Sequence, residues 1–102
     1  MLIVYCTVPN EEVAQALSRV LVMEGLCACV NQVPKVVSYY VYDGEFYEDD
    51  ELLLIIKTSQ VNYLALETRI KELHPYEVPE IIASPLVEGS AEYLAWMQES
   101  LR

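Results

Sequence analysis

Asp43-Gly44 lies between two strand-like arms of about fourteen residues each, and that arrangement limits the available folds more than any other feature of the chain. Glycine and aspartate tolerate the positive φ angles of a two-residue hairpin, so the pair predicts a tight turn. The first arm runs from Cys27 to Val33 and resumes after Pro34 as Lys35 to Tyr42. Pro34 has no N–H for a strand ladder and marks a bulge or bend. The second arm, Glu45 to Thr58, holds the acidic run Glu48-Asp49-Asp50-Glu51 and then the apolar stretch Leu52 to Ile56. At ~3.3 Å per residue each arm reaches ~45 Å, whereas a compact domain of about 100 residues has a radius of gyration of only ~13 Å. Part of the hairpin must therefore overhang its own core. The overhang carries Val37, Tyr39, Tyr40, Val41, Tyr42, Phe46 and Tyr47, apolar surface and strand edge that another subunit would cover.

The rest of the chain supplies the layer that such a hairpin packs against. Leu2 to Val8 is a short apolar run stopped by Pro9-Asn10, the signature of a buried central strand that contains Cys6. Asn10 can cap a helix whose first turn carries Glu11 and Glu12, with Val13, Leu17, Val20 and Leu21 at helical spacing. Gly25 ends it, and Leu26 can fold back onto Leu21. After the hairpin, Ser59 can cap a second helix with Tyr63, Leu66, Ile70 and Leu73 on one face, which Pro75 stops. Val78 to Val87 reads as a fourth strand, edge-like because of Pro79 and Pro85. Glu88-Gly89-Ser90 leads into a last helix with Leu94, Met97 and Leu101 on one side. The order β-α-β-β-α-β plus a C-terminal helix predicts an α+β, ferredoxin-like sandwich. Its 102 residues form a single domain, 1–102, large enough for one core.

Charge and cysteine usage exclude several partners. Sixteen acidic residues face six basic ones, a formal charge of −10, the reverse of the electrostatic footprint that binds phosphate backbones, so no nucleic-acid partner is expected. No apolar run approaches the roughly 20 residues of a membrane span, and the N-terminus lacks a signal-peptide pattern. Three cysteines, Cys6, Cys27 and Cys29, in such a chain point to reduced thiols and a cytoplasmic location.

The chemistry-bearing residues are few. His74 can act as base or ligand, or merely meet the last carbonyls of its helix. Its neighbours Pro75-Tyr76-Glu77-Val78-Pro79-Glu80 add a phenol and two carboxylates to a segment stiffened by proline. Cys27 and Cys29 read as one face of a strand and offer two soft donors where a closed zinc site needs four, and Cys6 reads equally as buried core. The run from Glu48 to Glu51 lacks the spacing of a calcium loop and reads as a solvated edge. Lys57, at the end of an apolar strand, either snorkels or faces an anion. No phosphate-binding glycine loop, nucleophile elbow or zinc-protease motif is present, so the chain reads as a protein that is not an enzyme.

Cys6-Thr7-Val8-Pro9, Ala28-Cys29-Val30-Asn31, Lys57-Thr58 and His74-Pro75-Tyr76 with Pro79-Glu80, taken in this order, closely resemble the CutA family of divalent-cation tolerance proteins. The resemblance runs through Tyr93 and Trp96, essentially the whole chain. It implies a homotrimer built through the long hairpin, PII-like in architecture, that binds copper or other divalent cations. The metal ligands it implies are Cys6 and His74, with Leu73 standing where the family's pattern has another histidine. Tyr42 replaces a frequent tryptophan and keeps its aromatic body. An inter-subunit cleft gathering Cys29, Asn31, Glu51, Lys57, Tyr76 and Glu80 is also implied. The alternative function is a PII-like signalling or interaction trimer that takes a small ligand or partner protein in such clefts.

Overall fold

Seven elements follow one another in the computed structural model, which describes residues 1–102: β1 (Leu2–Val8), α1 (Glu11–Met23), β2 (Cys29–Tyr42), β3 (Glu45–Thr58), α2 (Tyr63–Leu73), β4 (Ile82–Pro85) and α3 (Ala91–Ser100). The four strands form one antiparallel sheet in the order β2-β3-β1-β4, the ferredoxin-like arrangement expected from the element order. Strand alternation divides the sheet into two faces. Val4, Cys6, Val8, Leu52, Leu54 and Ile56 on one face pack against Ala14, Leu17 and Leu21 of α1 and Leu66 and Ile70 of α2. Burying each large side chain of this group stabilises the fold by about 1.5–3 kcal/mol.

Local signals explain the element ends. Asn10 Oδ1 accepts from the Val13 N–H at 2.9 Å, and α1 closes with the Gly25 amide bonded to the Val22 carbonyl and the Leu26 amide to the Leu21 carbonyl. This double bond pattern needs the left-handed conformation that Gly25 adopts at φ +71. Ser90 Oγ accepts from the Tyr93 N–H to start α3. Ser59 serves differently from expectation: its hydroxyl accepts from the Asn62 N–H in the turn before α2, and Asn62, with no side-chain cap bond of its own, begins the helix.

The hairpin is as long as its sequence requires. Asp43 (φ +52) and Gly44 (φ +81) both take positive φ, pairing Tyr42 with Glu45 and Tyr40 with Tyr47. The molecule measures 45 × 25 × 22 Å, the long axis matching the reach of a single arm. β1 supports β3 only over Leu52–Thr58, so β3 from Glu45 to Glu51 has β2 as its sole neighbour. A register shift between Val33 and Val36 falls at this boundary, with Lys35 at φ +60. Bulges sharpen local twist, so this one re-aims the overhang at the point where it leaves the core.

Two expectations need correction. The fourth strand is confined to Ile82–Pro85, which pairs with Leu2–Tyr5 of β1, while Cys6–Val8 of β1 pair with β3 alone because the segment before Ile82 does not lie along that edge. Cys27 lies ahead of β2, buried in the core cluster, and so does not share a strand face with Cys29.

Candidate functional site

The C-terminal ends of β1 and α2 meet at one backbone carbonyl. Thr7 is the penultimate residue of β1, and His74, held extended by the following proline, is the cap of α2. His74 Nε2 lies 2.8 Å from the Thr7 carbonyl oxygen, which can only accept, so Nε2 carries the proton. Nδ1 then accepts from the Tyr76 N–H at 3.1 Å. Both ring nitrogens are thus engaged with backbone, and the imidazole fixes the turn that throws Tyr76 across the sheet end. Its ring also packs on Tyr76 at 4.8 Å between centroids.

Tyr76 reaches the hairpin where β3 leaves its support. Its hydroxyl donates to Glu51 Oε2 at 2.7 Å, and Glu51 is buried. Beside this pair opens a cleft of about 610 Å³, lined by Thr7 and the 76–80 segment on one side and by hairpin tyrosines on the other. Tyr40 and Tyr47 stack at 5.1 Å with a 15° interplanar angle, and Tyr40 donates to Asp49 at 2.5 Å. Glu80 sits at the rim, where partial burial and then the nearby Glu51 push its carboxyl above the usual range. Burial and the bond to Glu51 raise the Tyr76 phenol as well, so it remains a donor.

Of the expected cleft residues, Glu51, Tyr76 and Glu80 come together. Cys29, Asn31 and Lys57 do not join them within one chain. Cys29 is opposite Lys57, and Asn31 is opposite Ile55, toward the far end of the sheet. Six residues of strand, about 20 Å, separate Lys57 from Glu51. Lys57 instead donates to the Tyr93 hydroxyl at 3.2 Å, leaning on α3. Tyr40, Tyr42, Tyr47 and Glu77 also line the cleft, beyond the residues expected there. The turn at Asp43-Gly44 already sets Tyr40 opposite Tyr47, so the stacked pair had a signal in the hairpin register.

Comparison with known proteins agrees with this architecture over nearly its full length. The family described as "CutA1 divalent ion tolerance protein" matches residues 2–100. The chain belongs to that family. It is 51% identical over 98 residues to the divalent-cation tolerance protein CutA of Thermus thermophilus, an alignment covering 96% of this chain and 95% of that one. A chloroplastic CutA of Arabidopsis thaliana is 45% identical over 99% of this chain, which spans 56% of that longer protein. The solved structure of the Thermus thermophilus Cut A1 protein superposes with a TM-score of 0.96 at 50% identity, covering all of both chains.

For a CutA1 family member, the fate of Cys6 and His74 bears directly on metal. Both converge on the Thr7 carbonyl, Cys6 Sγ at 3.7 Å and His74 Nε2 at 2.8 Å. Yet Cys6 points into the helix-facing core, and burial, followed by Glu80 and Glu51, pushes its thiol up to about 12. A protonated, enclosed thiol and an imidazole with no free nitrogen do not fit a copper ion as they stand. No three His, Cys, Asp or Glu side chains gather in the chain to hold a metal. Leu73, where the resemblance implies a histidine, is half exposed at the end of α2. No helix is long and apolar enough to cross a membrane.

Proposed function

We propose that this CutA1 family member works as a homotrimer that binds divalent cations, copper among them, and contributes to cation tolerance by binding without turnover. One observation carries the reading: an overhanging hairpin with exposed apolar side chains leads into a cleft whose ionisable lining is tyrosine and glutamate alone. The hairpin supports assembly, and the cleft's charge supports cations. Three unpaired cysteines support a cytoplasmic setting. Cys6 and His74, the ligands that the family resemblance implies, are closed to copper in this arrangement, one by the core and one by its two backbone partners. Chelator competition on reduced wild type, Cys6→Ser and His74→Ala tests whether they take part. Weaker copper binding in both variants supports their role, and unchanged stoichiometry and affinity in both removes these residues from the site.

A second reading, a PII-like sensing or interaction trimer, is favoured by the size of the cleft. At about 610 Å³ it falls in the range of small-molecule pockets and far exceeds what one ion fills.

A further inference from the structure

We propose that the overhanging hairpin of one copy lies on the helix-free face of the next copy's sheet, with Glu48 and Asp50 pairing across the contact with Lys57. The inference rests on the assembly proposed above and names the two surfaces that meet.

The first surface is one side of the overhang. Val37 stands opposite Asp50, Tyr39 opposite Glu48 and Val41 opposite Phe46, so these side chains share a side. Alternation along β3 makes it the side that carries Leu52 and Leu54 at the base, yet here no helix covers it and every one of these side chains is exposed. The intervening acids, Asp49 and Glu51, point the other way and take the hydroxyls of Tyr40 and Tyr76. Glu48 and Asp50 have no cation in their own chain.

The second surface is the side of the sheet that α1 and α2 leave open. Ile3, Tyr5, Leu53 and Ile55 lie there half-buried, and Ile82 beside Tyr5 is 59% exposed. Lys57 shares this face, opposite Ile3 on one side and Cys29 on the other. Its ammonium meets the hydroxyl and ring of Tyr93 and no carboxylate of its own chain. An ammonium half withdrawn from water gains from a carboxylate brought to it.

Reach and sign fit together. Glu45 to Glu51, at ~3.3 Å per residue, extend ~23 Å, while the outer strands of a four-stranded sheet stand roughly 15 Å apart, so one overhang crosses the receiving face. Apolar side chains then meet apolar ones, and the two free acids meet the free cation. Because the surfaces differ, each copy gives one hairpin and receives one. Such a head-to-tail contact leaves no surface unfilled only in a closed ring.

Sedimentation equilibrium of the reduced protein, in enough urea to bring wild-type dissociation into the micromolar range, tests the pairing. The chains compared are wild type, Lys57→Glu, the hairpin pair Glu48→Lys with Asp50→Lys, and all three substitutions together. Each reversal should raise the dissociation midpoint at least about tenfold, by setting like charges against each other. The triple variant exchanges the polarity and should return to within about threefold of wild type, a recovery that a merely structural role does not give. If Lys57→Glu folds poorly by circular dichroism, the hairpin pair, on exposed positions, decides alone. An unchanged midpoint for the hairpin pair, or, with all chains folded, a triple variant no tighter than its weaker parent, overturns the proposal. A wild type that is monomeric without urea sinks the assembly reading itself, whereas a trimer indifferent to both reversals sinks this inference alone.

Discussion

The two ends of the long hairpin are built from similar residues and live in opposite surroundings. At the base, Leu54 and Ile56 are fully buried, enclosed by β1, β2 and both packed helices. At the tip, Val41 is 69% exposed and Phe46 67%, with only the opposite arm for company. Burial at the base comes from what lies underneath, and the tip has nothing underneath in its own chain. A two-stranded ribbon alone is marginally stable in water. In the proposed assembly, other copies of the chain would give the tip what the base receives from its own chain.

The sharpest contrast is between truncations at the two ends. Leu54→Ala should lower unfolding free energy by about 2–5 kcal/mol through a cavity in the packed core, measured by denaturant titration. Val41→Ala should leave that core intact and appear instead as a lower Tm that rises with protein concentration, the mark of a weakened assembly. Equal, concentration-independent losses for the two would erase the distinction.

Glycines extend the comparison to backbone. Gly25→Ala meets a positive φ and places its Cβ 2.6 Å from Arg102 Cγ, so the arginine must move away from the Met23 carbonyl it holds. Gly44→Ala meets a positive φ in open space. Thermal unfolding should show about 1 kcal/mol lost at Gly44 and more at Gly25.

Hydrogen bonds give a smaller difference. Thr58 Oγ1 donates to the Leu26 carbonyl at 2.7 Å within the base, and Thr58→Val should cost about 1–2 kcal/mol because that carbonyl loses its partner. Tyr40→Phe removes an exposed bond to Asp49 and should stay within about 0.5 kcal/mol by the same measurement.

The smallest effect concerns pH where tip meets base. Glu80 is held above the usual 4.5 by burial and then by Glu51, so the folded chain favours its protonated form. That preference is fully present below the unfolded value and is lost as pH rises through the raised one. Glu80→Gln should thus be slightly more stable than wild type at pH 7 and lose that advantage by pH 4. A constant difference across melting curves in this range would show that Glu80 does not sense Glu51.

Much of this architecture was legible from local signals. Asp43-Gly44 set the hairpin register, Pro34 marked the bulge, and Asn10, Gly25 and Ser90 bounded helices through capping chemistry that needs only neighbours in sequence. The fourth strand was not legible in length, since its limits depend on where the chain after the His74–Glu80 segment joins the edge of β1, a contact between distant parts of the sequence. Ser59 resembled a helix cap because the serine chemistry of a turn and of a cap is alike. The site divided along the same line. Tyr76 and Glu80 belong to one stiff segment that sequence singled out, but their meeting with Glu51 depends on His74 gripping the Thr7 carbonyl, a contact across 67 residues. The core-facing direction of Cys6 likewise followed from strand pairing.

The central claim, that the tip is built for other copies of this chain, is tested most directly by multi-angle light scattering on the reduced protein at micromolar concentration. The expected mass is three times the 11.6 kDa chain. A folded particle of 11.6 kDa, with native circular dichroism and its tyrosine-rich hairpin left in water, would contradict the account.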